Sequence, residues 1–369
     1  MSDYDVIIVG ARIAGSVLAS HLGDRGHRVL LLDRDNFPSD TLSTHFFRAP
    51  AIRTFDAIGV LDEVEADAPR LTVDYNVIDD TVFPEPVDEP EDYPYYLCVR
   101  RITLDHILVC RAQGTASVEM REGAVATGLL WEDGCCVGVK WRDKESGDRL
   151  EARARAVIGA DGVRSTLARK VDPEVEDERP IERAMYYGYY RNVPAKDGPA
   201  AEFHYLGNQL VYCIPTNDDL TLLAASVPIE EFDQFRSDPE GELVAVLKSM
   251  TALAPRLAEM ELEGPVRGTG AIPCFRRVPY GRGWALVGDA GMTLDPWSGQ
   301  GIDQASTHAT MLADQLDAFL TEESDWDSTM KAYHQARNEF SRKVYRQTAN
   351  FAPDLRPMTR KALERRGLA

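Results

Sequence analysis

Three short runs in this chain carry residues whose types and spacing suit chemistry. In the first, Gly10-Ala11-Arg12-Ile13-Ala14-Gly15, two glycines follow an apolar stretch over residues 6–9. They precede a pattern that puts Ile13, Val17, Leu18 and Leu22 on one helical face. A helix start of this kind offers unpaired N–H groups and a partial positive charge to a pyrophosphate. Gly10 permits the tight turn and Gly15 close packing of helix on strand, while Asp33, after a second apolar run over residues 29–32, is placed to accept ribose hydroxyls. An acid there suits a free 2′-hydroxyl, so an adenine dinucleotide such as FAD or NAD fits better than NADP. Arg12 stands where the usual G-x-G-x-x-G pattern has its middle glycine. If its side chain merely points away from the phosphates, Arg12→Gly leaves turnover nearly unchanged.

The second run, residues 37–50, is a polar loop bounded by prolines that carries Thr41, Ser43, Thr44, His45 and Arg48, and it enters a helix over residues 51–58. A loop after the second strand of such a unit can fold back over a bound cofactor, which makes His45 and Arg48 the candidate catalytic residues. A histidine changes charge between about pH 5 and 8, and an arginine one turn on adds a permanent charge. The plain alternative for His45 is a histidine bonded to backbone. The third run, residues 284–302, ends a buried strand on Gly288 and Asp289, then passes through Pro296, Gly299, Gln300 and Gly301 into a helix starting near Ile302. The two glycines let backbone approach a planar ring, and the helix start favours negative charge.

The elements that must hold these runs read as a parallel strand-helix-strand unit, then alternating segments. Residues 71–99 have strand-like flanks around an acidic, proline-rich middle and look like an excursion into a second domain. Arg101, Leu104, Asp105 and Leu108 fall at helical spacing, with the arginine at the helix start. Residues 118–154 alternate as an antiparallel meander, leading to a separate buried strand over residues 156–160 and a turn at Asp161-Gly162 that opens a helix. Residues 171–274 are strand-rich, then helical over 230–260; Tyr186, Tyr187, Tyr189, Tyr190, Phe203 and Tyr205 put rings on both faces of a sheet, one of which can line an apolar pocket. Helices follow over residues 302–320 and 333–350, then a basic tail.

Composition narrows the function. A length of 369 residues suits two domains sharing an interface, and a net charge of −19 repels nucleic acid and anionic lipid. The six cysteines form no C-x-x-C pair, and adjacent Cys135 and Cys136 would make a strained disulfide, so reduced thiols in the cytoplasm are expected. With strand-like sequence from about residue 5, a signal peptide is not expected, nor is a transmembrane segment. Neither a metal-ligand cluster nor a Ser-His-Asp set stands out.

Four ordered patches, GARIAG with Asp33, VRRITLD, GADGVRS and VGDAGMTLDPWSGQGI, resemble the FAD flavoproteins of the p-hydroxybenzoate hydroxylase fold, which include class A aromatic hydroxylases, geranylgeranyl reductases and flavin halogenases. The resemblance implies an α/β chain: a Rossmann-type FAD-binding domain from residues 1–70, 98–170 and 275–350, and a discontinuous second domain on a mainly antiparallel sheet from residues 71–97 and 171–274. Residues 351–369 form a C-terminal tail. By matching position, Gly10, Ala11, Arg12, Ala14, Gly15, Asp33 and Arg34 would hold the ADP half, and Arg101 would reach the pyrophosphate. Asp161 and Gly162 would serve flavin and NAD(P)H. Gly288 and Asp289 would bind ribityl or pyrophosphate, and Pro296, Gly299, Gln300, Gly301 and Ile302 would lie along the isoalloxazine.

Two positions depart from the hydroxylase pattern: Met292 replaces a histidine and Asp303 an asparagine, while DPWSGQGI is similar to the reductase branch. The five tryptophans never fall two apart, so the halogenase W-x-W-x-I-P signature is absent. The resemblance implies an oxidoreductase, foremost an NAD(P)H- and O2-dependent monooxygenase of an apolar aromatic or polycyclic small molecule. A carbon–carbon double-bond reductase is the alternative, with a halogenase-like enzyme or a non-enzymatic flavin-binding protein as minor ones.

Overall fold

The computed structural model describes residues 2–43, 45–87 and 89–368; Thr44 of the second run lies outside the described residues. Strands Trp284–Leu286, Arg149–Gly159, Tyr4–Val9, Val29–Leu32 and Val118–Arg121 lie side by side in parallel, in that order. The continuous apolar runs of the first unit have a direct cause. Val6, Ile8, Val29 and Leu31 face a core built with the helices, whereas Ile7, Val9, Leu30 and Leu32 face one built with the meander. Both faces of these strands are dry, so neither can alternate polar with apolar residues. Helix Ile13–Asp24 packs on one face of the sheet against helices Arg101–Gln113 and Gly301–Leu320.

The second sheet has seven strands in the order Glu261–Thr269, Arg183–Arg191, Thr221–Pro228, Gln209–Pro215, Ala201–Leu206, Val73–Ile78 and Thr81–Pro86. All its pairings are antiparallel except that of Ala201–Leu206 with Val73–Ile78. Its alternation sorts the aromatics as the sequence led one to expect. Met185, Tyr187 and Tyr189 face one cluster with Phe203, Tyr205 and Tyr212, while Tyr186 and Tyr190 face another with Phe235 and Leu243.

Several boundaries differ from the sequence reading. Residues 149–160 were expected as two strands; they form one, Arg149–Gly159, half exposed where it pairs in the meander and fully buried where it enters the parallel sheet. That change of environment turns the pattern from alternating to continuous within a single strand. Val118–Arg121 pairs in parallel with Val29–Leu32 and so leaves the meander for the edge of the main sheet. The acidic, proline-rich stretch yields strand Thr81–Pro86, tolerated because it is an edge, where Pro84 needs no outward N–H bond. Its right-hand flank gives only Leu97–Cys98, paired with Phe46–Phe47. Strands Val175–Arg179, Glu261–Thr269 and Cys274–Arg277 were not anticipated. The helix expected over 333–350 starts earlier, at Trp326, where Asp325 caps it by accepting the Ser328 N–H at 3.0 Å.

Candidate functional site

The three sequence runs meet at one place. A Cβ built on Gly10, whose φ is +104°, would lie 2.4 Å from the Ala160 carbonyl oxygen, and one on Gly15 would lie 1.7 Å from the Gly10 oxygen. Only glycine lets the turn, the helix start and the GADG strand end approach this closely. A Cβ on Gly288 would meet the Ala14 and Ala305 methyls at 3.0 and 3.6 Å, which puts the third run against the start of the first helix. Helices Ile13–Asp24 and Gly301–Leu320 both begin without a side-chain cap, and Cβ atoms at Gly162 and Gly301 would meet nothing within 4 Å. Two bare helix starts beside open glycine backbone match what an adenine dinucleotide needs: N–H donors for phosphate and room for close approach.

The carboxylates and arginines around this point are placed unequally. Asp33 is buried, with Oδ2 accepting the Ala11 N–H at 2.6 Å and Oδ1 the Asp35 N–H at 2.8 Å, so the Ala11 amide is already engaged. Burial pushes the Asp33 carboxyl up, opposed by those two amides. Asp289 is open to solvent, yet desolvation by its surroundings pushes its carboxyl up to about 6, with the Arg101 charge pulling the other way. Arg101 is buried and forked onto Asp105, Nε to Oδ1 at 2.9 Å and Nη2 to Oδ2 at 3.0 Å. Asp105, fully buried, also receives Arg12 Nη1 at 2.5 Å.

Other residues named from the sequence serve the framework. Asp161 Oδ2 accepts the Thr166 and Leu167 N–H groups at 2.6 and 3.2 Å, and Oδ1 accepts the Ser165 hydroxyl, so its side chain holds the start of helix Thr166–Val171. Arg34 is exposed, 3.9 Å from Asp35. Ile302 is packed in the core, leaving only its backbone for a ligand. Gln300 precedes the helix start, and Pro296 opens a single 3-10 turn whose first N–H is capped by Asp295.

His45 is fully buried at φ +63°, with Nε2 2.6 Å from the Tyr189 hydroxyl and the Tyr187 ring edge-on at 5.1 Å. Its Nδ1 is buried without a partner. Burial, reinforced by the Arg101 charge, pushes the imidazole down to about 3. The expectation of a histidine that switches charge near neutrality is therefore corrected: the ring is neutral, because no carboxylate reaches it to offset its desolvation. Arg48 is not one helical turn on but precedes helix Ala49–Ala57. Its backbone N–H donates to Asp303 Oδ1 at 2.9 Å, its Nη1 reaches the Gly299 carbonyl at 3.0 Å and Asp303 Oδ2 at 3.4 Å, and its guanidinium lies over the Phe46 ring. The departure at Asp303 thus acquires a reason, since a carboxylate there takes both the amide and the charge of Arg48.

Between these groups and the tyrosine-rich sheet lies a narrow pocket lined by Ser43, Phe46, Arg48, Met185, Tyr187, Phe203, Tyr212, Leu222, Ala224, Ser298 and Gly299. Sequence reasoning had pointed to the tyrosine strand and Phe203. It missed Met185, Tyr212, Leu222 and Ala224, although alternate positions along three neighbouring strands carry that signal, and it missed Asp105 as the acceptor that organises two arginines. Met292 lies in a separate buried cluster with Cys274, Leu294 and Tyr345. Among the described residues there is no cluster of ligands for a metal ion, and no helix is long and apolar enough to cross a membrane.

Residues 3–348 match the family described as FAD binding domain. Squalene monooxygenase of Mus musculus is 28% identical over 176 residues, covering 46% of this chain, and the match spans 31% of that protein's length. Digeranylgeranylglycerophospholipid reductase of Methanocella arvoryzae is 27% identical over 328 residues, 82% of this chain and 75% of the relative. Among solved structures, the FAD-dependent myxobacterial chondrochloren halogenase superposes with a TM-score of 0.84 at 25% identity, covering 93% of this chain and 81% of that one.

Proposed function

The chain belongs to the FAD binding domain family, and from that premise we propose that it is an NAD(P)H- and O2-dependent monooxygenase of an apolar aromatic or polycyclic small molecule. The two helix starts, Gly10, Gly15 and Asp33 would hold the ADP half of FAD, Asp289 and Arg101 its middle, and the 296–302 loop the ring. Bound FAD would supply electron transfer from NAD(P)H and activation of O2. What the protein must add is placement and exclusion of water, because the oxidising power belongs to the cofactor. Residues 71–97 and 171–274 act in this reading as the substrate-side domain.

The observation that carries the reading is the pocket. One wall is the Ser298-Gly299 end of the glycine-rich loop, and the opposite wall is an aromatic sheet face whose phenols burial keeps neutral, pushing Tyr187 up to about 12 and Tyr212 well above its usual range. Arg48 supplies a cation to the lining and is tied to Asp303 and Gly299, which fixes its orientation. His45, neutral and hydrogen-bonded to Tyr189, offers a hydrogen-bonding edge rather than a charge.

A second reading, reduction of a carbon–carbon double bond, is favoured by the DPWSGQGI run and by the digeranylgeranylglycerophospholipid reductase relative. The missing W-x-W-x-I-P signature leaves halogenation a lesser option beside the halogenase likeness. Turnover under 18O2 separates them: one labelled oxygen in the product supports the monooxygenase, whereas anaerobic turnover with two hydrogens gained overturns it in favour of the reductase.

A further inference from the structure

Residues 36–43 run from the end of the first unit to the pocket wall. Among the described residues, no backbone–backbone hydrogen bond of turns or loops involves any of them. The carbonyls of Ser39, Asp40 and Thr41 are held by side chains instead. Arg12 donates from Nη1 to the Ser39 carbonyl at 3.1 Å, and from Nη2 to the Ser39 hydroxyl at 3.1 Å and the Asp40 carbonyl at 3.4 Å. From the second sheet the Tyr187 hydroxyl donates to the Thr41 carbonyl at 3.4 Å, and Arg267 pairs with the Asp40 carboxylate at 3.1 Å. Arg12 is itself fixed, by Asp105 at 2.5 Å, by Asp35 at 3.3 Å and by stacking over the Phe37 ring.

The segment is therefore a strap fastened to the dinucleotide turn by a single guanidinium and to the tyrosine sheet by two side chains. It ends by placing Ser43 in the pocket wall and delivering His45, at φ +63°, to Tyr189. A guanidinium can make this join because its planar fork serves two carbonyls, a hydroxyl and two carboxylates at once; an ammonium cannot span them.

We propose that Arg12 is a positioning residue, not a phosphate ligand: it fastens residues 36–43 to helix Arg101–Gln113 and so sets the places of Ser43 and His45. The link to the reaction rests on the reading of the pocket given above; the fastening does not. The expected insensitivity of function to Arg12→Gly is accordingly reversed. The side chain does point away from the glycine turn, but toward a task.

The test uses the full chain, with and without added FAD. Wild type, Arg12→Gly and Arg12→Lys are compared by native-state thermolysin cleavage, by ring NMR of labelled histidine and by FAD titration. Both variants are expected to be cut within residues 36–43 about tenfold faster or more, the scale of losing two or three hydrogen bonds that close a local opening. Only the His45 ring signals among the seven histidines should move, and FAD affinity should change by less than about threefold, since no phosphate contact is lost. Unchanged cleavage together with an unmoved His45 overturns the proposal. So does a loss of FAD affinity of about thirtyfold or more with cleavage unchanged, which would make the guanidinium a phosphate ligand. If Arg12→Gly does not fold, Arg12→Lys decides by the same criteria. A wild type without monooxygenase turnover would sink the functional reading and leave the cleavage and NMR result standing.

Discussion

Replacing His45 by asparagine should change the acid stability of the protein by an amount that follows from its burial. Asparagine suits the site because it tolerates positive φ, and His45 sits at +63°. In the folded state the ring stays neutral down to about pH 3, whereas its ordinary value, regained on unfolding, is 6.5. The unfolded chain therefore binds a proton that the folded chain refuses. Stability is full above pH 6.5 and falls by about 1.4 kcal/mol for each pH unit below it, until the folded ring titrates. At pH 4.5, two units below 6.5, the histidine costs about 3 kcal/mol relative to pH 7.5. Other groups oppose or add to this: Asp74, Asp289 and Asp295, each pushed up to about 6, work in the opposite sense, and buried His308, pushed down to about 3, works in the same one. Taking the difference between wild type and His45→Asn cancels them. Urea unfolding of the flavin-stripped proteins at both pH values should show the variant gaining about 3 kcal/mol on wild type between pH 7.5 and 4.5. A difference that stays constant with pH would mean that the ring titrates alike in both states, and the account of His45 as a desolvated neutral group would fall.

Three more outcomes follow from the site. Asp289→Ala should keep a native circular dichroism spectrum while FAD affinity drops about tenfold or more, and an unchanged affinity would remove this carboxylate from the cofactor's partners. His45→Ala should retain FAD but lower turnover by about 10², the usual scale for a group that positions or moves a proton, and this loss should be flat from about pH 6 to 9 because the ring does not titrate there; full activity would make the histidine structural. Ala224→Leu adds bulk inside the narrow pocket and should raise KM about tenfold or more with the bound-flavin spectrum unaltered, whereas wild-type KM would move the substrate elsewhere.

Much of the site was legible because the proposed cofactor contacts fall on short, local motifs. GARIAG with Asp33, GADG and VGDAG each end a buried parallel strand, and parallel strands must bring their C-terminal ends to one edge, so their convergence at Gly10, Ala160 and Gly288 needed no knowledge of side-chain packing. The aromatic alternation of residues 185–190 likewise announced a two-faced sheet. Where the reading went astray, a residue's environment changed within an element. Strand Arg149–Gly159 passes from meander to core, and Thr81–Pro86 keeps its prolines only because it lies at an edge.

The sequence by itself therefore determined the strand-helix-strand frame, the glycine positions where backbone must approach backbone, and the acid at the end of the second strand. These depend on spacing along one element, which the chain carries with it. The tertiary structure alone decided which distant side chains meet. Arg12 finds Asp105, 93 residues away in sequence; Arg48 finds Asp303, 255 residues away; and His45 finds Tyr189, 144 away. No periodicity encodes such pairs, because long side chains on different elements choose partners only once the elements have packed. That packing is also what buried His45 beyond the reach of any carboxylate and kept its imidazole neutral through the range where an ordinary histidine titrates.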